Sequence, residues 1–315
     1  MAAARSAIPP LRSWPRPRTL AATLHSPLQS PHTRSSKISS KRSVFTMTLP
    51  KTNALYQTDE SLRTHSTKVL SVQPVSSLTE SDKPLFKNAD ASKDHVVVTA
   101  ETIFYAQGGG QPCDTGKMTL ASNTSLTFDV TAVRNGADGL ILHLGTFASA
   151  AENDQFKAGD TVDQAIDSEK RVMNSRIHTG GHVVGLAVRH LASSIPDVSE
   201  LKAQHYPDLA FVDFQGTIES KHKDAIQAQV DKFIAAELPV KVYFWNEAEL
   251  REKCAVVPGA VAIPEGELVR AVDIVGAGAY PCGGTHVPDT GKVGKVTIKK
   301  ISRSKGNSKV SYTLN

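Results

Sequence analysis

The 315-residue sequence has no apolar run near the roughly 20 residues that a membrane-spanning helix needs. Its three cysteines, Cys113, Cys254 and Cys282, are scattered and odd in number. That argues against a disulfide framework and fits a reducing compartment, or a metal site that uses one of them. No Gly-Lys-Ser/Thr follows the glycine run of "GGGQ" (108–111), so this is not a phosphate-binding P-loop. Neither a nucleophile-elbow motif nor a Ser-His-Asp order stands out, so covalent catalysis is not expected. Acidic residues are missing from the first 58 positions, and Asp59 is the first.

That last absence distorts the overall charge. The formal net charge of +5 includes nine basic residues that precede Asp59. The remainder holds 27 basic against 31 acidic residues, a net of −4. A nucleic-acid partner must therefore be held by local patches. Residues 1–46 are rich in Ser, Pro and Arg, the composition of an organelle transit peptide that cannot build a core. A start at Met47 would give a cytosolic form with the same fold. The expected location is cytoplasmic, with a mitochondrial form carried by the leader.

From residue 51 to about 165, short apolar runs alternate with turn residues. "THSTKVLSVQPV", "DHVVVTAETIFYA", "LTFDVTAV" and "GLILHLGTF" read as strands, and "GGGQPCDTG" and "NGADG" as turns. This predicts a small β-barrel. The period becomes helical from Ser168 to about Ala192, with Asp167 as N-cap. Met173, Ile177, Val184, Val188 and Leu191 fall within an arc of about 60° and form the predicted core face. His178 and His182 lie off that stripe, with Ser175 and Arg189. A second helix is expected over about Ile218 to Glu237. "LAFVDF", "VKVYFWN", "LVRAVDIV", "GKVTIKKIS" and "SKVSYTL" read as strands. The chain is thus α+β: a barrel over 51–165, then a domain over 166–315 with helices on one side of a mostly antiparallel sheet.

Chemistry concentrates in two short stretches. In "RIHTGGHVVG", His178 and His182 stand at i and i+4 on a helix and can chelate one ion. In "YPCGGTHVPDTG", Cys282 and His286 are also four apart, but Pro281 and Pro288 oppose a helix, and Gly283 and Gly284 supply a bendable loop. Together they form a His3Cys set suited to one tetrahedral Zn2+. Cys113 and Cys254 are read as unliganded. Glycines inside a helix cost about 1 kcal/mol each relative to Ala. Gly180 lies beside the core arc and reads as a packing position, while Gly181 is left open between packing and access for a ligand.

"HTGGH" followed about 100 residues later by "CGGTH" resembles the zinc-binding editing domain of alanyl-tRNA synthetases and its free-standing AlaX relatives. "TIFYAQGGGQPCDTG", "HYPDLAFVDFQG" and "KKISRSKGNSKVSYTL" agree with that resemblance, which covers about residues 51–315. It implies an α+β editing domain after a barrel, and zinc-dependent hydrolysis of tRNA(Ala) mischarged with serine, or also glycine. It places Gly109, Gly110 and Gln111 against the editing pocket. Nothing resembles an ATP-dependent activation domain. His205 is either a residue that acts on a proton or contacts the terminal adenosine, or an ordinary surface histidine, and Gln111 is a candidate to donate or accept. Thr179 is either a reader of the serine hydroxyl or an ordinary helix threonine. Asp213 reads as a strand carboxylate, with a place behind a zinc-bound histidine as the alternative. Lys292, Lys295, Lys299, Lys300, Arg303, Lys305 and Lys309, with no acidic residue among them, form the best patch for tRNA phosphates. The competing function is a non-catalytic zinc-stabilised tRNA-binding module.

Overall fold

The computed structural model describes residues 49–149, 154–254 and 266–315; the leader over 1–46 and its targeting role lie outside the described residues. Six antiparallel strands close a barrel: β1 (Thr64–Pro74), β2 (His95–Thr99), β3 (Gly116–Leu120), β4 (Asn123–Asn135), β5 (Ile141–Phe147) and β6 (Thr161–Ile166), in the order β1-β2-β5-β4-β3-β6. Alternation puts Val162 and Ile166 of β6 inside with Val97, Met118 and Phe128. Closure leaves no unpaired edge.

Helix α1 (Ser168–His190) follows, and Asp167 caps it by accepting from the Lys170 amide. The chain continues through β7 (Ser199–Tyr206), β8 (Leu209–Gln215), α2 (Lys223–Ala235), β9 (Val240–Trp245), α3 (Glu247–Lys253), β10 (Val269–Ile274), β11 (Gly278–Pro281), β12 (Val296–Ser304) and β13 (Asn307–Leu314). Its strands form two antiparallel sheets, β12-β13-β8-β7 and β9-β10-β11, rather than the single sheet that the strand pattern suggests. Side-chain periodicity identifies strands but not their partners. Helices α1 and α2 lie on the four-stranded sheet, and α3 on the three-stranded one, which has its own core of Trp245, Leu250, Ala271 and Ala279. Among the described residues, no helix is long and apolar enough to cross a membrane.

Two helix readings need correction. Met173 is 39% exposed rather than core, whereas Ile177, Val184 and Val188 are buried. The opposite face is also buried: Ser175 is buried, and His178 and His182 lie in an unbroken buried run from Ile177 to Val188. The wheel separates a polar stripe from an apolar one, but the polar stripe faces a protein-lined site. The second helix begins later than expected, because the Ile218 amide donates to Ser308 Oγ (2.8 Å) and a 3-10 turn (Ser220–His222) intervenes.

The barrel is joined to α1 by a buried ion pair. Arg171, 1% exposed, donates from Nε to both Asp114 oxygens (3.1 and 2.9 Å) and from Nη2 to the Ile103 carbonyl (2.5 Å). Asp114 also accepts from the Tyr105 amide at 2.7 Å. Asp114→Asn would leave a buried guanidinium without its counter-charge, at a cost of about 3–5 kcal/mol. Urea unfolding should show a lower midpoint; an unchanged midpoint would mean that the pair does not hold the halves together.

Candidate metal centre

The structure brings His178, His182, Cys282 and His286 together, with one ligand atom from each lying within 4.8 Å of all the others. Cys282 Sγ stands 3.5 Å from His178 Nε2 and 3.8 Å from His286 Nε2. Nitrogen and thiolate donors at about 2.05 and 2.3 Å from one ion, at tetrahedral angles, stand about 3.6 Å apart. Buried polar atoms are normally paired, yet Nδ1 of His182 and of His286 have no hydrogen-bond partner. The donor set and its spacing fit a zinc ion.

The electrostatics agree. Burial, followed by the neighbouring imidazoles, holds His178 and His182 well below the usual histidine range, so both are neutral and offer lone pairs. Burial would also lower His286, but the Cys282 thiolate and Glu60 outweigh it and carry it up to about 9. The cluster therefore favours a positive charge beside His286.

Both metal half-sites depend on glycine. At the barrel end, Gly108 and Gln111 exchange backbone hydrogen bonds (3.3 and 2.8 Å) around Gly109 (φ +53°) and Gly110 (φ +80°), a two-residue turn that needs left-handed backbone. Gln111, fully buried, accepts from His178 Nδ1–H (2.7 Å) and the Thr285 amide (3.0 Å) and donates to Thr285 Oγ1 (2.9 Å). It fixes the His178 tautomer so that Nε2 faces Cys282. A Cβ on Gly284 would overlap the His178 ring. One on Gly181 would overlap the His205 ring and come within 2.7 Å of the Tyr312 hydroxyl, so of the two roles left open the structure gives Gly181 close packing: it makes room for His205 of the sheet. Gly180 packs against Val293, Val296 and Leu314, as read.

His205, on β7, is 2% exposed and stacks on His178 with ring centroids 4.3 Å apart. The Tyr312 hydroxyl donates to the Ile177 carbonyl (2.9 Å), so its oxygen accepts from His205 Nδ1–H (2.8 Å) and leaves Nε2 with the lone pair. Burial, then His286, pushes His205 down to about 3. Thr179 is fully buried; its hydroxyl donates to the Ser175 carbonyl (2.8 Å) and accepts from the Val287 amide (3.2 Å), tying helix to metal loop. Gly110 lies against β7, where its carbonyl accepts from the His205 amide at 2.8 Å, while Gly109 borders open space. Asp213 faces Lys309 (3.8 Å) and Lys202 (4.0 Å), as a strand carboxylate does. Cys113 accepts from Arg134 (3.6 Å), and Cys254 is buried in the three-stranded sheet's core.

Two residues absent from the sequence reading complete the site. Glu60 accepts from the His286 amide at 2.5 Å, and its Oε1 stands 3.8 Å from His286 Nδ1, in range of charge rather than hydrogen bonding. Arg270 pairs with Glu60 and donates to the carbonyls of Gln57 (2.8 Å), Cys282 (2.6 Å) and Gly284 (2.9 Å). Their separation of 210 residues leaves no local pattern to find.

The chain matches the family models for class II (A) tRNA synthetases over residues 24–170 and for the threonyl and alanyl tRNA synthetase second additional domain over residues 269–310. It is 32% identical over 225 residues to alanyl-tRNA editing protein AlaX-M of Methanosarcina barkeri, covering 70% of this chain and 89% of that one. The chain belongs to the alanyl-tRNA editing protein family. It is 29% identical to AlaX-L of Pyrococcus horikoshii, over 70% of this chain and 52% of the relative. It is 25% identical to alanine-tRNA ligase of Methanosphaera stadtmanae, over 85% of this chain but only 27% of the ligase.

Outer carboxylates of this kind typically contribute 10–100-fold to metal affinity. Glu60→Gln should weaken zinc retention by that factor in chelator competition while the circular dichroism spectrum is kept. Equal retention by both proteins would exclude Glu60 from holding the metal loop.

Proposed function

We propose that the protein is a zinc-dependent trans-editing hydrolase that removes serine, and also glycine, from mischarged tRNA(Ala), in the service of translation fidelity. The observation that carries this reading is the buried His3Cys cluster in a chain that spans 89% of an alanyl-tRNA editing protein. His178, His182, Cys282 and His286 would hold the ion, which when bound supplies Lewis-acid polarisation of an ester carbonyl or activation of water. Gln111 holds His178 in register. His205 is neutral, so its Nε2 serves to accept a hydrogen bond from the attacking water and orient it. Thr179 Oγ1 keeps one acceptor lone pair and Gln111 Nε2 one donor N–H; with Gly109 and Gly110 they form the proposed reader of the substrate hydroxyl. Serine and alanine differ by that hydroxyl, and a site built to pair it rejects the analogue that lacks it.

The tRNA backbone is assigned to the β12–β13 hairpin. Lys299, Lys300, Arg303 and Lys305 are exposed there, with Lys292 and Lys295 just before it, and Ser302, Arg303, Lys305 and Lys309 line a groove of about 450 Å3. The protein is placed in the cytoplasm, with a mitochondrial form carried by residues 1–46.

Deacylation of Ser-tRNA(Ala) and Ala-tRNA(Ala), with zinc quantified, tests the reading. An unmade polar pairing costs about 1–3 kcal/mol, so the serine substrate should react roughly tenfold to a hundredfold faster. Cys282→Ala should lose both zinc and activity. Equal rates on both substrates would defeat the assignment, and hydrolysis of neither with zinc bound would favour a tRNA-binding module. Replacing Arg303 and Lys305 by Ala should reduce the slope of log binding against log salt by about one for each phosphate no longer neutralised; an unchanged slope moves the tRNA elsewhere. Residues 1–46 fused to a fluorescent reporter should direct it to mitochondria, and a cytosolic reporter would remove that part.

A further inference from the structure

Arg270 ties the metal loop to a second cleft. Its Nη1 donates to the carbonyls of Cys282 and Gly284, while its Nε donates to that of Gln57 (2.8 Å). Gln57 lines a cleft of about 340 Å3 bounded by the segment 52–58, the turn 135–141 and Phe244 of β9. Phe244 and Arg270 are direct partners across β9 and β10, so both project from one face of that sheet.

The walls of the cleft combine a free aromatic ring with free amides. Phe244 is 42% exposed. Among the described residues, the side-chain amides of Gln57 and Asn135 have no hydrogen-bond partner. Each offers both a donor and an acceptor. The other polar walls are committed: Asn53 Nδ2 donates to Glu101 (3.3 Å), and the Thr52 and Thr58 hydroxyls donate to backbone carbonyls. No charged side chain lines the cleft. An anion placed there would find no counter-charge. An aliphatic chain would cover the two amides without pairing them, which is costly. A flat neutral group with a hydrogen-bonding edge satisfies both the ring and the amides. The volume is near the lower end of the roughly 300–1,000 Å3 of small-molecule sites, so one ring system fits and a duplex stem does not. Lys51, exposed, lays its stem against Gly139 at the border of the cleft and brings a cation there.

We propose that this cleft holds one unpaired nucleobase of the tRNA 3′ end, its ring on Phe244 and its edge on Gln57 and Asn135. Unpaired RNA bases are recognised in this manner, stacked on aromatic side chains and hydrogen-bonded along their edges. Lys51 then meets the adjoining phosphate. The choice of a nucleobase over another flat neutral ring rests on the tRNA substrate of the proposed function. Arg270 fixes the Gln57 carbonyl and the metal loop with one guanidinium, so a base held here stands at a constant separation from the metal centre.

Binding of uncharged tRNA(Ala) to the zinc-loaded full chain, against the same RNA trimmed of its unpaired 3′ nucleotides, tests this. Phe244→Ala should weaken binding of the intact RNA about tenfold, within the range for one stacked base, and leave the trimmed RNA unchanged. Phe244→Trp should restore it. Gln57→Ala combined with Asn135→Ala should weaken the intact RNA about fivefold through lost hydrogen bonds. Zinc content should not change, because Arg270 uses the Gln57 carbonyl and not its side chain. A fluorescent base analogue placed at each unpaired 3′ position in turn should be quenched at one of them by wild type and not by Phe244→Ala. Should Phe244→Ala fail to fold, the amide pair carries the same comparison of intact and trimmed RNA. Equal losses on both RNAs, full binding of intact RNA by Phe244→Ala, or quenching that survives that change would overturn the proposal alone. No RNA binding by wild type would overturn it together with the tRNA reading. The RNA is uncharged throughout, so a failure to deacylate would leave the result for the cleft intact.

Discussion

The site depends on the buried contact between Asp114 and Arg171. Asp114 lies three residues beyond Gln111, and Arg171 lies two turns before His178, so one ion pair sets where the barrel turn meets the helix. The pair is fully desolvated, and such pairs contribute little net stability because dehydration cancels most of their attraction. What this one supplies is register. Its remaining hydrogen bonds, to Tyr105 and Ile103, lie on the irregular segment that leads from the barrel into the glycine turn. Sliding α1 by one turn would leave Arg171 without a counter-charge and Gln111 without His178.

A second tether approaches from the other side. Glu60 and Arg270 lie far apart in the chain, yet both hold the loop from Cys282 to His286 by its backbone. That loop has proline at one end and glycines inside, so it cannot hold its own shape through helical hydrogen bonds. Its carbonyls and one amide are instead fixed from outside, by a guanidinium and a carboxylate that neutralise each other. Cys282 and then Glu60, the negative member of the pair, are why the electrostatics at His286 favour a cation despite burial.

The four residues of the candidate metal centre are legible in the sequence because each half-site is short and has a chemical signature. Four of the six barrel strands are legible too, as apolar runs between turn residues, whereas β3 and β6, short and mixed with polar residues, are not. Met173 shows the limit. A helical wheel assumes one buried stripe, whereas α1 is buried all around its middle and exposed at its first turns, so position along the helix matters more than angle. The division into two sheets is hidden for a related reason: a strand's own pattern does not name its partner, and only Trp245, Leu250 and Ala271 packing together shows that β9 and β10 belong to a separate core. Glu60 and Arg270 are hidden entirely, because a contact across 210 residues leaves nothing in a local window.

Strand β13 connects the chemistry to the surface. Tyr312, on its buried face, orients His205 by committing its own proton to the Ile177 carbonyl, which leaves its oxygen only able to accept. Three residues earlier on the same strand, Lys309 leaves the core, pairs with Asp213 and lies 3.7 Å over the Phe211 ring. At about 3.4 Å per residue in an antiparallel strand, the two positions are about 10 Å apart along a paired backbone with no hinge between them. Whatever the hairpin grips is therefore held at a fixed distance from His205. For the proposed tRNA substrate, whose ribose ester has little reach of its own, a rigid strand between grip and imidazole would convert backbone binding into placement of the scissile bond, which a flexible linker would not do.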